Sequence, residues 1–261
     1  MFSIICVYNN VKILNGCLLK NLKQQEKVEF EFIGLDNTSE AYRSAAEALN
    51  EGARKANCKY LFFIHQDVEL VGSDWLWKAS RMLNMASNLG VAGVCGMSSI
   101  GKNNEERGRG LIYQGDGVWS WSNPVTKPEP VQTVDECLLI IPRMLFKLIQ
   151  FDSKTFDGWH CYGVDYCLSA KKLGFEVYVI PLVIKHLAGT LDLYFSNLLR
   201  YEKSLLRKHH QFRKIYTTCG ELSTVKLLER QIAATVNHYL FNMFSNIPLK
   251  QYIKNHFSKY L

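Results

Sequence analysis

Tyr60-Leu61-Phe62-Phe63-Ile64-His65-Gln66-Asp67-Val68-Glu69 is the stretch whose reading decides the fold. Five apolar residues run without a break and stop at a cluster of side chains able to bind metal. A short apolar run bounded by polar residues predicts a strand buried on both faces, as in parallel α/β sheets. Ligands of such sheets bind outside the carboxyl ends of the strands, which places His65, Gln66 and Asp67 where chemistry occurs. Strand alternation points His65 and Asp67 to one side and Gln66 to the other. On this stretch alone, a strand closing in a polar turn accounts for the residues equally well.

Toward the N-terminus, Phe2–Tyr8 predicts another buried strand, closed by Asn9-Asn10. Ile13, Cys17, Leu18 and Leu22 then fall at helical spacing within residues 11–26. Phe30–Leu35 predicts a second strand, and Asp36-Asn37-Thr38-Ser39 after it is both a turn and a helix N-cap signal. Ser44–Ala56 is Ala-rich and helical, and a further helix from Ser73 to Asn88 follows the central strand. Strand and helix alternating in this way argue for βαβ units. No GxGxxG follows the first strand, so a dinucleotide-binding version loses its main support.

Toward the C-terminus, Val91–Met97 predicts one strand and Val134–Ile141 another. Between them, residues 98–132 are rich in Gly and Pro and predict a long mobile loop carrying Tyr113, Trp119 and Trp121. Exposed tryptophans suit stacking on sugar faces, and anchoring of the loop explains either one alone. Pro142–Ile149 starts a helix, and a second amphipathic helix ends at Gly174. Phe175–Ile180 is strand-like, and Val183–Thr190 follows Pro181. From about residue 192 helix formers alternate with Lys and Arg through a further helix near Val225–Phe244 and an aromatic end, Pro248–Leu261. Such a basic amphipathic tail suits an anionic membrane surface, or helices packed on the domain with a solvated basic face.

With 48% hydrophobic residues the chain can bury a full core. Its net charge of +7 is compatible with nucleotides, phosphates or a membrane surface and too weak to argue for nucleic acid, for which no motif is present. The eight cysteines make no CxxC pair, and Cys6, Cys137 and Cys167 lie in apolar runs, the usage of a reducing compartment. His160-Cys161 lacks the second Cys/His pair that a soft-metal site needs. The N-terminal residues carry no signal pattern, and no window reaches the ~18 apolar residues of a membrane span, so a cytoplasmic protein is expected.

In this order the motifs resemble family 2 glycosyltransferases with the GT-A fold, an α/β fold with a mostly parallel central sheet and helices on both faces. Phe2–Asn9 is similar to the family's opening strand, Leu35-Asp36-Asn37-Thr38-Ser39 to its Val-Asp-Asp-Gly-Ser, and His65-Gln66-Asp67 stands at its Asp-x-Asp. Leu168–Pro181 is similar to its late helix and strand. His-Gln-Asp and the later Tyr162-Gly163-Val164-Asp165 resemble a branch related to a streptomycin-biosynthesis protein. The resemblance covers roughly residues 2–190 and divides the chain into a transferase domain, 1–190, and a basic helical extension, 191–261.

The resemblance implies an inverting transfer from a nucleotide-sugar donor, a UDP-sugar, to a hydroxyl of a glycan or lipid-linked acceptor. It implies that Asp36 takes a hydrogen bond from the base, with Tyr8, Asn9, His65 and Gln66 also at the donor. Asp67 and His186 would hold Mn²⁺ or Mg²⁺, as suits hard diphosphate oxygens. His65 in place of the motif's first Asp removes one carboxylate from that set. Asp165 is the expected general base, with Asp157 and His160 as alternatives, and Trp119 and Trp121 are placed at the acceptor. Each has a bland counterpart: a cap or Asx turn for Asp36 and Asp165, a structural strand-end histidine for His186. Two other readings compete. A nucleotidyltransferase would need a Gly-rich basic phosphate loop, and Ile4–Asn10 has neither Gly nor a basic residue. A decayed, nucleotide-binding scaffold on the same fold would bind nucleotide without metal dependence or turnover.

Overall fold

The computed structural model describes residues 2–115, 117–119, 123–187, 195–229 and 232. In chain order the first half contains β1 (Phe2–Tyr8), α1 (Val11–Leu14), a π-helical turn (Asn15–Leu19), α2 (Lys20–Leu22), β2 (Phe30–Asp36), α3 (Ala45–Lys55), β3 (Tyr60–Ile64), β4 (Val68–Leu70), α4 (Trp75–Met85), β5 (Leu89–Gly93) and β6 (Cys95–Met97). The second half contains α5 (Asn104–Arg107), β7 (Gly108–Gln114), β8 (Gly117–Trp119), β9 (Glu129–Val131), β10 (Thr133–Val134), β11 (Leu138–Pro142), α6 (Arg143–Leu148), α7 (Tyr162–Lys172), β12 (Glu176–Val179), β13 (Val183–His186), α8 (Phe195–Lys208), β14 (Ile215–Thr217) and β15 (Gly220–Leu222).

Every residue of β3 is buried, and the sheet explains why. Its order is β2-β1-β3-β11-β5-β12-β9, with β3 near the middle. Alternate residues feed two separate cores. Ile5, Leu61, Phe63, Leu139 and Val177 pack with α3, α7 and α8 on one face. Ile4, Phe62, Ile64, Ile140 and Tyr178 pack with the 11–22 helix and α4 on the other. A strand covered on both faces gains nothing from a polar alternate position, hence the unbroken apolar run. The close seating of α3 depends on Gly52, where a Cβ would stand 2.5 Å from Ile5 Cγ2.

β1 pairs in parallel with β2 and β3, and β12 with β5. β11 inserts antiparallel between β3 and β5, so the sheet is mixed. A second sheet, β10-β6-β7-β13-β4, lies at the carboxyl ends of these strands, and β8 pairs with β7 at its side.

The structure departs from three sequence expectations. The run 91–97 is two strands in two sheets, because Gly93 and Gly96 pass so close to β10 that a Cβ on Gly96 would sit 2.3 Å from the Thr133 carbonyl. The run 134–141 also divides, leaving Asp135-Glu136-Cys137 as a break between β10 and β11. The segment 98–132 is no long loop: α5, β7, β8 and β9 occupy most of it. Its glycines serve packing as well as turns. Gly110 has φ +86°, and a Cβ there would lie 1.8 Å from the Val94 carbonyl oxygen. Gly110→Ala is therefore expected to cost at least about 2 kcal/mol through backbone strain and overpacking, read as a lowered urea midpoint.

After β13 the chain returns to the same core. Tyr201 and Leu205 of α8, with Ile215 and Leu222 of the β14–β15 hairpin, are buried in the α3–α7 face. Arg200 of α8 bonds Asp157, and Lys208 bonds Asp152 and Asp165, so part of the basic character of α8 is spent internally. No helix among the described residues is long and apolar enough to cross a membrane. The expected helix near 225–244 begins with residues 224–229, and most of it, with 248–261, lies outside the described residues.

Candidate active site

His65, Asp67 and His186 come together through backbone pairing. The amide of His65 donates to the Cys137 carbonyl at 3.1 Å, and the Val68 amide donates to the His65 carbonyl at 3.3 Å, closing a tight turn into β4. β4 then pairs antiparallel with β13, which sets His186 opposite Val68. The Leu187 amide locks the join on the Asp67 carbonyl at 3.0 Å. From below, the buried Trp75 donates its ring N–H to the Val183 carbonyl at 2.8 Å and anchors the start of β13.

His186 Nε2 lies 3.4 Å from Asp67 Oδ1 and 3.4 Å from His65 Nδ1. One nitrogen or oxygen of each residue lies within 4.8 Å of the others. Burial, and then the neighbouring His186, push the His65 imidazole down to about 4, which keeps it neutral and able to ligate at pH 7. Burial works against protonation of His186 as well, but its hydrogen bond to Asp67 outweighs that and raises its pKa. Burial likewise opposes ionisation of Asp67, yet His186 and His65 hold its pKa below the usual carboxylate value. Two imidazoles and one carboxylate form a small, half-buried set with sides left for other ligands. Such a mixed set suits Mn²⁺ better than Mg²⁺, which prefers oxygen throughout.

Gln66 points away from this trio, as the alternation requires. Its Oε1 accepts from the Asn9 and Asn10 amides at 3.2 and 3.0 Å, and its Nε2 donates to Asn9 Oδ1 at 2.7 Å. Gln66 and the side chain of Asn9, both expected at the donor, are thus spent in tying the end of β1 to the end of β3. Asp36 is exposed at the end of β2, opposite Tyr8. Its Oδ1 accepts from the Thr38 amide and hydroxyl at 2.8 and 2.7 Å, an Asx turn that holds its pKa down and keeps it charged.

Asp165 does not join the cluster. It is buried to 2% exposure, with His209 Nε2 at 2.7 Å and Lys208 Nζ at 2.9 Å. Both partners belong to the C-terminal region, so in this structure the carboxylate expected as the base fastens α7 to α8. Asp157 is also paired, at 2.5 Å from Arg200 and 3.0 Å from the Tyr201 hydroxyl. His160 is exposed and close enough to His65 to weigh on its protonation. The side chain of Trp119 and all of Trp121 lie outside the described residues.

Sequence reasoning missed Asp135 and Glu136 because they were absorbed into a supposed strand. Asp135 accepts from the Cys137 amide at 3.0 Å and from Thr218 of the β14–β15 turn at 2.7 Å, and its charge acts on both His65 and His186. Glu136 accepts from the first amides of α7, from Gly163 and Val164 on Oε1 at 2.7 and 3.2 Å and from Cys161 on Oε2 at 3.2 Å. Burial pushes its carboxyl up to about 7 against the pull of those amides. Two adjacent acids at a strand break were the available signal.

A family model described as a glycosyltransferase-like family matches residues 3–209. A curated protein of Fuscovulum blasticum, "ATP synthase subunits region ORF 6", is 34% identical over 131 residues, 49% of this chain and 51% of that protein. The chain thus spans about half the length of the curated relative it matches. Among solved structures, the mannosyltransferase PcManGT from Pyrobaculum calidifontis, in complex with GDP-Man and Mn²⁺, aligns at TM-score 0.53 and 13% identity, over 79% of this chain and 64% of that one. GalNAc-T7 with UDP, GalNAc and Mn²⁺ aligns at 0.56 and 12%, over 78% and 47%. S. aureus TarS 1-349 in complex with UDP-GlcNAc aligns at 0.54 and 14%, over 78% and 66%. At such identities the likeness is one of fold.

Proposed function

The chain belongs to the glycosyltransferase-like family and has the GT-A fold, and from that premise we propose that it transfers a sugar from a nucleotide-sugar donor to a hydroxyl acceptor. The observation that carries the reading is the meeting of His65, Asp67 and His186 at the carboxyl ends of β3 and β13. Solved neighbours of the same fold hold UDP, UDP-GlcNAc or GDP-Man, and two of them hold Mn²⁺. UDP-sugars are the donor class we favour, with Asp36 and Tyr8 at the base and ribose end.

His65, Asp67 and His186 would hold Mn²⁺, which supplies charge neutralisation for a leaving diphosphate. His65, already neutral, gives its imidazole at no protonation cost, while His186 must first give up the proton that Asp67 favours. The pairing of β4 with β13 holds the backbone of His186, and backbone bonds hold those of Asp67 and His65, so little ordering remains to be done on binding. The reaction we favour is direct displacement at the anomeric carbon with inversion, onto a glycan or lipid-linked hydroxyl. His-Gln-Asp and Tyr162-Gly163-Val164-Asp165 support placement in the streptomycin-related branch. Residues 191–261 are proposed as an acceptor-side extension working in the cytoplasm, where exposed Lys203 and Arg207 offer charge to an anionic membrane face. The spending of Asp165 and Gln66 on structural contacts is what the scaffold reading draws on, and turnover decides between the two.

Slow hydrolysis needs no acceptor. A panel of UDP- and GDP-hexoses with Mn²⁺ is expected to yield one donor that the protein hydrolyses and that chelation with EDTA protects; no hydrolysis of any donor would contradict the reading. A second expectation concerns the metal-free protein. His65 titrates in the unfolded chain near 6.5 and in the folded chain near 4, so its contribution to stability grows as pH rises from 4 to 6.5. His186 has a raised folded pKa, so its contribution is full below 6.5 and falls as pH climbs through that raised value. The contribution of the pair therefore peaks near pH 6.5. Thermal melts in EDTA from pH 5 to 8, comparing wild type with a His65→Gln/His186→Gln double variant, check it.

A further inference from the structure

The geometry points to Glu136 as the catalytic base that takes the acceptor's proton, an inference that rests on the transferase reading above. Two of the carboxylates around the start of α7 are engaged by cations: Asp165 by Lys208 and His209, Asp157 by Arg200. The described contacts of Glu136 are of another kind. It meets no cation in hydrogen-bonding range, only three backbone amides of the α7 entrance. Oε1 takes two of them and Oε2 one, which leaves a lone pair on Oε2 for a hydroxyl. The residue is largely buried, with part of its surface still exposed.

Chain neighbours of Glu136 reach the metal-ligating trio. Cys137, next to Glu136, receives the His65 amide on its carbonyl at 3.1 Å. Cys161, which donates its amide to Glu136, follows His160, and the His160 charge acts on His65. Glu136 thus lies one residue from the carbonyl that holds the His65 turn, and its Oε2 holds the amide of the residue after His160.

Two features of the chain accompany this contact. A Cβ on Gly163 would stand 2.9 Å from Glu136 Cγ and 2.9 Å from Leu139 Cδ1, so any side chain there would displace one of them. Cys161 holds φ +68°, a left-handed conformation costly for a residue with a Cβ. Strain of that kind persists where the surrounding structure needs a particular aim, here an amide turned onto a carboxylate. Burial that lifts the Glu136 carboxyl toward neutrality makes it a better proton acceptor than an ordinary surface glutamate.

In the step assigned to it, an acceptor hydroxyl, or water in hydrolysis, gives its proton to Glu136 Oε2 as its oxygen bonds the anomeric carbon. The bond from that carbon to the diphosphate breaks on the opposite face, and its electron pair leaves with the nucleoside diphosphate. The sugar is inverted, and the proton passes from Glu136 to solvent.

The test uses the full chain, Mn²⁺ and the donor that wild type hydrolyses in the panel. Glu136→Gln is expected to retain UDP binding by calorimetry within about twofold and to lose turnover by 10²–10⁴-fold. Glu136→Ala supplied with sodium azide is expected to regain turnover and release the inverted glycosyl azide, because azide attacks without giving up a proton. A purely structural cap would not be rescued in this way. Wild-type turnover with an equally active Glu136→Gln variant overturns the assignment while leaving the transferase reading intact. So does a silent Glu136→Ala that azide fails to revive, or loss of folding in both variants, which would make Glu136 a structural cap. Absence of wild-type turnover with every donor overturns the transferase reading itself and the assignment with it.

Discussion

Asp67→Asn is expected to lower Mn²⁺-dependent donor turnover by about 10²–10³-fold, with melting temperature nearly unchanged. Asp67 is the single carboxylate of the trio, and His186 Nε2 sits 3.4 Å from its Oδ1. An amide at that position keeps the shape and one oxygen but removes the charge that holds a divalent cation. The loss of several kcal/mol of charge stabilisation at the leaving diphosphate corresponds to that range of rates. The fold has little at stake, because the turn is secured by backbone bonds from His65, Val68 and Leu187. Steady-state hydrolysis at saturating donor and Mn²⁺ measures the effect, and a variant as active as wild type would remove Asp67 from the metal site.

Asp165→Ala is expected to act in the opposite manner, costing about 3 kcal/mol of stability while folded molecules keep most of their turnover. Removing one member of a buried ion pair costs about 3–5 kcal/mol because the partner charge stays behind. The low end applies here because Asp152 remains 2.8 Å from Lys208 and keeps that cation paired. His209 Nδ1 already has no partner among the described residues, so loss of Asp165 leaves that ring with neither nitrogen bonded. Urea unfolding gives the stability, and turnover per folded molecule at low temperature gives the rest. A variant of wild-type stability and no activity would return Asp165 to the role of base that its position in the sequence suggested.

Both cases show how far residue types carry. β1, β3 and the class of fold were legible because strands covered on two faces must be apolar from end to end. His65 and Asp67 were legible because polar residues after such a strand fall at a sheet's carboxyl edge. The pairing that brings His186 to them is a long-range event between β4 and β13, and Val183–His186 says nothing of its partner. Asp165 looked available because a helix-start acid has the same sequence signature whether it faces a ligand or a buried lysine. Glu136 was hidden because apolar residues on both sides made 134–141 read as one strand, and the break that frees its side chain comes from β10 and β11 joining different sheets. The β14–β15 hairpin was missed for a related reason. Its strands are three residues each, too short for alternation to register, and it is held by Gln132, Thr133 and Asp135 far back in the chain.

His65, Asp67 and His186 are proposed to join a nucleoside diphosphate to a divalent metal. Calorimetric titration of UDP into the wild-type protein, with Mn²⁺ and again in EDTA, tests it most directly. Affinity is expected to be at least about tenfold tighter with Mn²⁺, a coupling of about 1.4 kcal/mol. UDP binding of equal strength in the two titrations would contradict the metal-bridged site and favour a nucleotide-binding scaffold.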